Sequence, residues 1–255
     1  EANMKKVVKL PIVAPLYSTY HSQGNAGAIL TDNLSIRNWY LNQVMMLCCN
    51  RRFLYGAMTP DVTVDESTDW ENPYLKRVVF PMKYLGKSIH PLIRALLDDG
   101  YYVGFNQIDD YYIKGKSWYG QKHYYHDGLI FGYDQNDGTY LVYAYDDHWR
   151  YRTFPISQKN FEEGRQASFR DGQYGELYGM KPIETYVELN PRMICDNLRE
   201  YLDSSLDKYP LYTNGLVYGT VVHDYVAMYL NKLADGSIPY LRMDQRIFRM
   251  IWEHK

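Results

Sequence analysis

The chain has 255 residues, 46% of them hydrophobic and 23% charged, enough to bury a core in one large domain or two small ones. A formal net charge of −2 excludes a global electrostatic drive toward nucleic acid. Three cysteines exclude a disulfide framework, and no apolar run reaches the roughly 18 residues needed to span a bilayer.

In chain order, Met4-Lys5-Lys6 reads as a native start behind three extra residues, and without a signal-peptide pattern the expected location is the cytoplasm. Residues 5–15 carry two prolines and read as an extended lead-in. In Tyr20-His21-Ser22-Gln23-Gly24-Asn25-Ala26-Gly27-Ala28, the Gln-Gly-Asn triplet is turn material, and Asn25 reads as the N-cap of a buried helix. A second helix is expected from about Ser35 to Cys49, burying Cys48 and Cys49 as core thiols. Residues 56–73 read as a loop whose acidic cluster (Asp65, Glu66, Asp69) is a solvated surface before it is a cation site. Extended chain follows from Tyr74 to Tyr84 with Val78-Val79-Phe80 buried. Ile89 to Asp99 shares one apolar face and stops at Gly100.

Tyr101–Asn106 reads as a strand that continues after a bend at Asp109–Ile113, and Lys114–Gln121 as a polar loop. Lys122 to Asp134 and Thr139 to Asp146 flank Gln135-Asn136-Asp137-Gly138, a hairpin signal. That hairpin places His126 near the start of one strand and Asp146 near the end of its partner, so the carboxylate is expected to orient the imidazole. Trp149–Phe154 reads as a third strand, Ser157 as the cap of a short helix, and Glu162–Gly179 as a mobile connection. Helices are expected at Pro191–Ser204, Leu216–Leu233 and Gln245–Glu253. Tyrosine is over-represented, 28 against 8 Phe and 5 Trp, which favours a β-rich core with half-exposed rings or a Tyr-lined groove.

His-x-x-x-x-x-Gly-Tyr-Asp, followed about twenty residues after the His by an Asp at a strand end, resembles papain-like cysteine enzymes. The nearer likeness is to C39-like peptidases and the butirosin biosynthesis protein H N-terminal family. It covers roughly residues 15–165. The resemblance implies an α+β, papain-like fold, with an early helix packed on an antiparallel sheet. The catalytic core is expected over 1–165, with a mainly helical part over 166–255. It further implies a cysteine at the helix start, where the helix end and a histidine lower the thiol's pKa. The matching slot here is Ala26, and Gln23 matches the oxyanion donor.

Three readings of Ala26 follow: an inactivating Cys→Ala replacement, a natural loss that leaves a binding protein, or a relocated nucleophile, with Ser22 nearest. His123 is the alternative base; three residues from His126 on a strand, it would face the other side. His21 is a neighbour of the site or a turn residue, while Asp134 and Asp147 read as turn and surface acids. His-x-x-His suggests no metal without a third ligand, and no cofactor is expected. By this resemblance the activity is acyl transfer from an acyl or peptidyl carrier protein thioester to an amine in antibiotic or nonribosomal peptide biosynthesis, with neither nucleic acid nor membrane as partner. The C39-like alternative is peptide cleavage.

Overall fold

The computed structural model describes residues 6–30, 33–43, 46–55, 59–64, 72–204, 215–240 and 243–255. The chain is α+β and divides into two compact units, one formed by residues 1–32 and 73–184, the other by 33–72 and 185–255. The expected single break after residue 165 falls inside a helix of the first unit. The chain returns after that helix to lay a strand into the middle of the first unit's sheet. Among the described residues no helix is long and apolar enough to cross a membrane.

The first unit is an antiparallel sheet. Its main path runs β4 (Leu75–Pro81), β9 (Glu176–Pro182), β5 (Tyr102–Asp109), β6 (Tyr125–Asp134), β7 (Thr139–Tyr145), β8 (Tyr151–Ser157). β1 (Val7–Lys9) pairs with the far end of β6, Lys9 opposite Gly132. The hairpin expected from Asp137-Gly138 forms, with Asp134 opposite Thr139 and Gly138 at φ +60°. A register shift between Phe105 and Ile108 bends β5, with Gln107 in the left-handed region at φ +57°. Such a bulge re-aims the side chains beyond it.

α3 (Ile89–Asp98) lays Ile89, Ile93 and Leu97 into the core with Val103, Phe105, Ile130, Val142 and Phe161. Each fully buried aliphatic side chain of this kind contributes about 1.5–3 kcal/mol. Ser157 caps α4 (Gln158–Arg170) as expected, its Oγ accepting from the Asn160 N–H. The stretch expected to be mobile is ordered: residues 162–170 complete α4, whose Phe161, Gly164 and Ala167 are buried, and β9 follows. Val79 faces solvent although it was expected in the core, because β4 alternates its faces.

The second unit has a three-stranded antiparallel sheet, β10 (Leu216–Tyr218), β2 (Leu47–Asn50), β3 (Thr63–Val64), with α2 (Leu34–Gln43), α5 (Pro191–Asp203), α6 (Val221–Ala234) and α7 (Arg246–His254). Cys48 and Cys49 are buried as expected, yet they lie on strand β2, paired to Tyr218 and Val217, and not on a helix. The helix expected from Leu216 is strand β10 for three residues, and α6 starts only at Val221, after Gly219 turns the chain at φ +73°. The acidic cluster Asp65, Glu66 and Asp69 lies outside the described residues.

Candidate functional site

The site lies in the first unit and is built on α1 (His21–Leu30), the trailing end of β5 and the leading end of β6. β6 opens with His126 opposite Ile108 and Tyr125 opposite Asp109. Just past the bulge, Asp109 caps a single helical turn over Asp110–Tyr112, accepting from the Tyr111 N–H. These constraints bring two adjacent carboxylates up to two histidines. His126 Nδ1 lies 2.5 Å from Asp110 Oδ2, and His123 Nδ1 lies 2.6 Å from Asp109 Oδ2. An ionised carboxylate only accepts, so in each pair the proton sits on Nδ1 and Nε2 is left as the basic nitrogen. The two histidines use separate carboxylates, and His123 precedes β6, so the expectation of opposite faces along one strand does not apply to it.

Asp110 is buried, and so is Lys116, whose Nζ lies 3.6 Å from Asp110 Oδ1. Burial lowers the Lys116 pKa, and the Asp110 carboxylate works against that shift. The result is a chain of groups, Lys116–Asp110–His126, that ends at the imidazole. Beside it, burial pushes the Asp127 carboxyl above its ordinary range, while His126, the Gln107 N–H and Lys116 pull the other way.

Asp146 was expected to orient His126, and it does not. Continuing the register of Leu129 and Tyr143 would set the two opposite each other, but the paired ladder stops at that pair. Asp146 turns into the following loop, where Oδ1 accepts from the His148 and Arg150 N–H groups at 2.8 Å each. Its Oδ2 pairs with the Arg152 guanidinium. Burial alone would raise this carboxyl; the Arg150 and His148 N–H groups and the Arg152 and Arg150 cations outweigh it and hold it low.

The helix also departs from expectation. α1 starts at His21, before Asn25, and Gly24 N–H already bonds the Tyr20 carbonyl. Ala26 is therefore more than a turn inside the helix and fully buried. Five residues rotate a helix by about 500°, which sets Ala26 roughly 140° around from His21. The face toward the sheet carries His21, Gly24 and Asn25. A Cβ at Gly24 would stand 2.7 Å from the Tyr151 ring, and Asn25 bonds both the Tyr151 and Tyr178 hydroxyls. The helix-end residue beside His126 is thus His21, its ring 5.3 Å from the His126 ring. Gln23 is buried in the first turn, about 200° from His21, so it does not share the His21 face; Ser22 is half-buried, about 100° away. His21 also packs on Tyr145 and Tyr151 at 5.1 and 5.7 Å. Burial, with Lys116 and His126 nearby, pushes its pKa well below the ordinary 6.5, so it is neutral near pH 7. Its Nε2 is buried with no hydrogen-bond partner among the described residues.

Sequence reasoning missed Asp110, Lys116 and Asp127, whereas His21, read as a neighbour of the site or a turn residue, stands beside His126. The Asp109-Asp110 doublet before a histidine-bearing strand was the available signal for the first. No group of three or more potential ligands able to hold a metal occurs among the described residues. The chain matches no family model, and no curated protein matches it.

Proposed function

We propose that this chain is a papain-like acyl-transfer protein of natural-product assembly, in which His126 acts as the base and a carrier-protein thioester is the acyl donor. One observation carries the reading: His126, fixed through Nδ1 by buried Asp110, lies against the N-terminal residue of an early helix. Base, orienting acid and helix end are the parts that acyl transfer requires. The helix end presents histidine where a thiol would be expected, which favours direct transfer over a covalent acyl-enzyme.

In that step the acceptor amine attacks the thioester carbonyl carbon, and His126 Nε2 takes the amine's proton. The oxyanion meets the N-terminal end of α1, whose dipole favours negative charge. The carbon–sulfur bond then breaks, the leaving thiolate recovers the proton from His126, and an amide and a carrier thiol result. Atoms and charge balance without an external reagent.

The test is incubation of the chain with an acyl-carrier thioester and a panel of primary amines, read by intact mass of the carrier and of the amide. Amide above the uncatalysed level, lost with His126→Ala, is expected. Equal yields with and without the His126 side chain overturn the proposal. A second reading, a non-catalytic binder of the same thioester, is favoured by the buried non-nucleophilic Ala26 and predicts carrier binding without turnover.

A further inference from the structure

Four aromatic rings make a closed circuit around the outer side of His126. Trp118 and Tyr124 lie 6.1 Å apart, Tyr124 and His126 4.5 Å, His126 and Trp149 6.3 Å, and Trp149 and Trp118 6.2 Å. Successive planes meet at 48°, 85°, 80° and 77°, so the rings are steeply tilted to one another and do not stack. Packing alone does not account for this circuit. Trp149 is 50% exposed and Tyr124 40%, and Trp149 holds φ +56°, a conformation that side-chain-bearing residues rarely adopt. Two ties fix the walls. Ser117 Oγ donates to the Asp146 carbonyl, joining the loop that carries Trp118 to the turn that carries Trp149, and Asp146 caps that turn. The Trp118 Nε1 hydrogen is buried with no acceptor among the described residues.

A cation of this chain already stands against two of the four rings. Lys122 Nζ stands 5.2 Å from the Trp118 centroid and 5.9 Å from that of Tyr124. Ring faces set at steep angles around a point attract an alkylammonium, through the negative face of each ring. We propose that Trp118, Tyr124, His126 and Trp149 form an aromatic cage that binds the ammonium group of the acceptor, a primary alkylamine, with Lys122 as its resident competitor. This rests on the acyl-transfer reading and names the substrate class of the same site. The cage selects the charged amine; the ammonium gives one proton to solvent before attack, and His126, the fourth wall, takes the second at Nε2 as the carbon–nitrogen bond forms and returns it to the leaving thiolate.

The test titrates n-butylammonium chloride into the protein at about pH 8, below the usual amine pKa of about 10.4, against sodium chloride at matched ionic strength. Uncharged n-butanol is the isosteric control, and tryptophan fluorescence and calorimetry are the readouts. The expected result is saturable binding of butylammonium, with butanol weaker by about fivefold or more. Trp149→Leu and Tyr124→Leu should each weaken it by a similar factor, and Lys122→Met should tighten it. Thermal melts establish that the variants fold; with either one folded, that variant decides. Equal affinity for butylammonium and butanol, or no loss in a folded cage variant, overturns the cage. The two proposals fail separately: cation-selective binding without amide formation in the thioester assay leaves the cage and removes the transfer, whereas amide formation without cation selectivity does the reverse.

Discussion

Replacing Asp110→Asn removes a charge that two other groups depend on. Lys116 and Asp110 are 4% and 2% exposed and 3.6 Å apart, so at an effective dielectric of about 20 their attraction is about 4–5 kcal/mol. Much of that offsets desolvation, but the substitution removes the attraction and leaves the desolvation of Lys116 in place. Breaking a buried pair from one side costs about 3–5 kcal/mol. There is also a ceiling. Lys116 can shed its proton, which from its ordinary 10.5 costs about 1.36 kcal/mol per pH unit, or about 5 kcal/mol at pH 7. Asp110→Asn is therefore expected to lower Tm by about 6–12 °C for a 3 kcal/mol loss. The deficit should shrink as pH rises toward 10, where the unfolded chain also releases that proton. Adding Lys116→Met should recover most of the stability, because no buried cation remains, yet it should not restore amide formation, because His126 still lacks its carboxylate. Thermal unfolding at pH 7 and 9, with the double-mutant cycle, measures both effects. A single Asp110→Asn variant within about 1 kcal/mol of the parent at pH 7 would refute the reasoning.

A cysteine placed by His21→Cys should be alkylated by iodoacetamide near neutral pH several times faster than free cysteine, and His126→Ala should slow it. Ala26→Cys should react slowly, since position 26 is fully buried. Mass spectrometry of timed quenches distinguishes the two, and the reverse order would return the nucleophile slot to position 26. Burial holds the pKa values of His21 and His90 below 6.5, so below that pH the unfolded chain gains protons that the folded chain refuses. Stability should fall as the pH drops through that range, by at most about 1.36 kcal/mol per pH unit for each such group. Asp146 and Glu162, with pKa values lowered from 3.8 and 4.5, lose their contributions only in more acidic solution. A Tm series from pH 7 to 5 should therefore slope less steeply in a His21→Gln variant. Gly104→Ala would set a methyl inside the Tyr178 ring, displacing the phenol that meets Asn25. Overpacking of this kind costs about 1–3 kcal/mol, visible as a lower denaturation midpoint in urea, and an unchanged midpoint would count against that packing.

The parts of this fold that could be read from residues are those whose signal is local. Asp137-Gly138 between β-rich runs, the apolar stripe of Ile89 to Leu97 ended by Gly100, and Ser157 ahead of α4 each carry a short-range cause that the structure retains. What was not legible depends on partners distant in sequence. His21 starts a helix without a side-chain cap signal, because Tyr151 and Tyr178 from β8 and β9 take up Asn25, the residue that reads locally as the cap. Leu47-Cys48-Cys49-Asn50 extends an apolar helical run on paper, yet β10 and β3 claim it as a strand. A short apolar run does not reveal its own period. The place of His126 near the start of its strand was legible from the residues around it. The identity of its carboxylate was not, because that depends on one extra residue near Gln107 in a different strand.

That bulge explains how the two acids exchange roles. Continuing the register of Leu129 and Tyr143 would have set Asp146 across from His126. The bent end of β5 instead delivers Asp110 from the other flank of β6, and Lys116 closes in behind it. Asp146 is then released to cap the turn that holds Trp149, so one irregularity in β5 supplies the imidazole with its acid and leaves another acid to build the wall beside it. Under the proposed reading, base orientation and amine recognition rest on different carboxylates. Asp110 substitutions should act on proton transfer, and Asp146 substitutions on affinity for the ammonium probe.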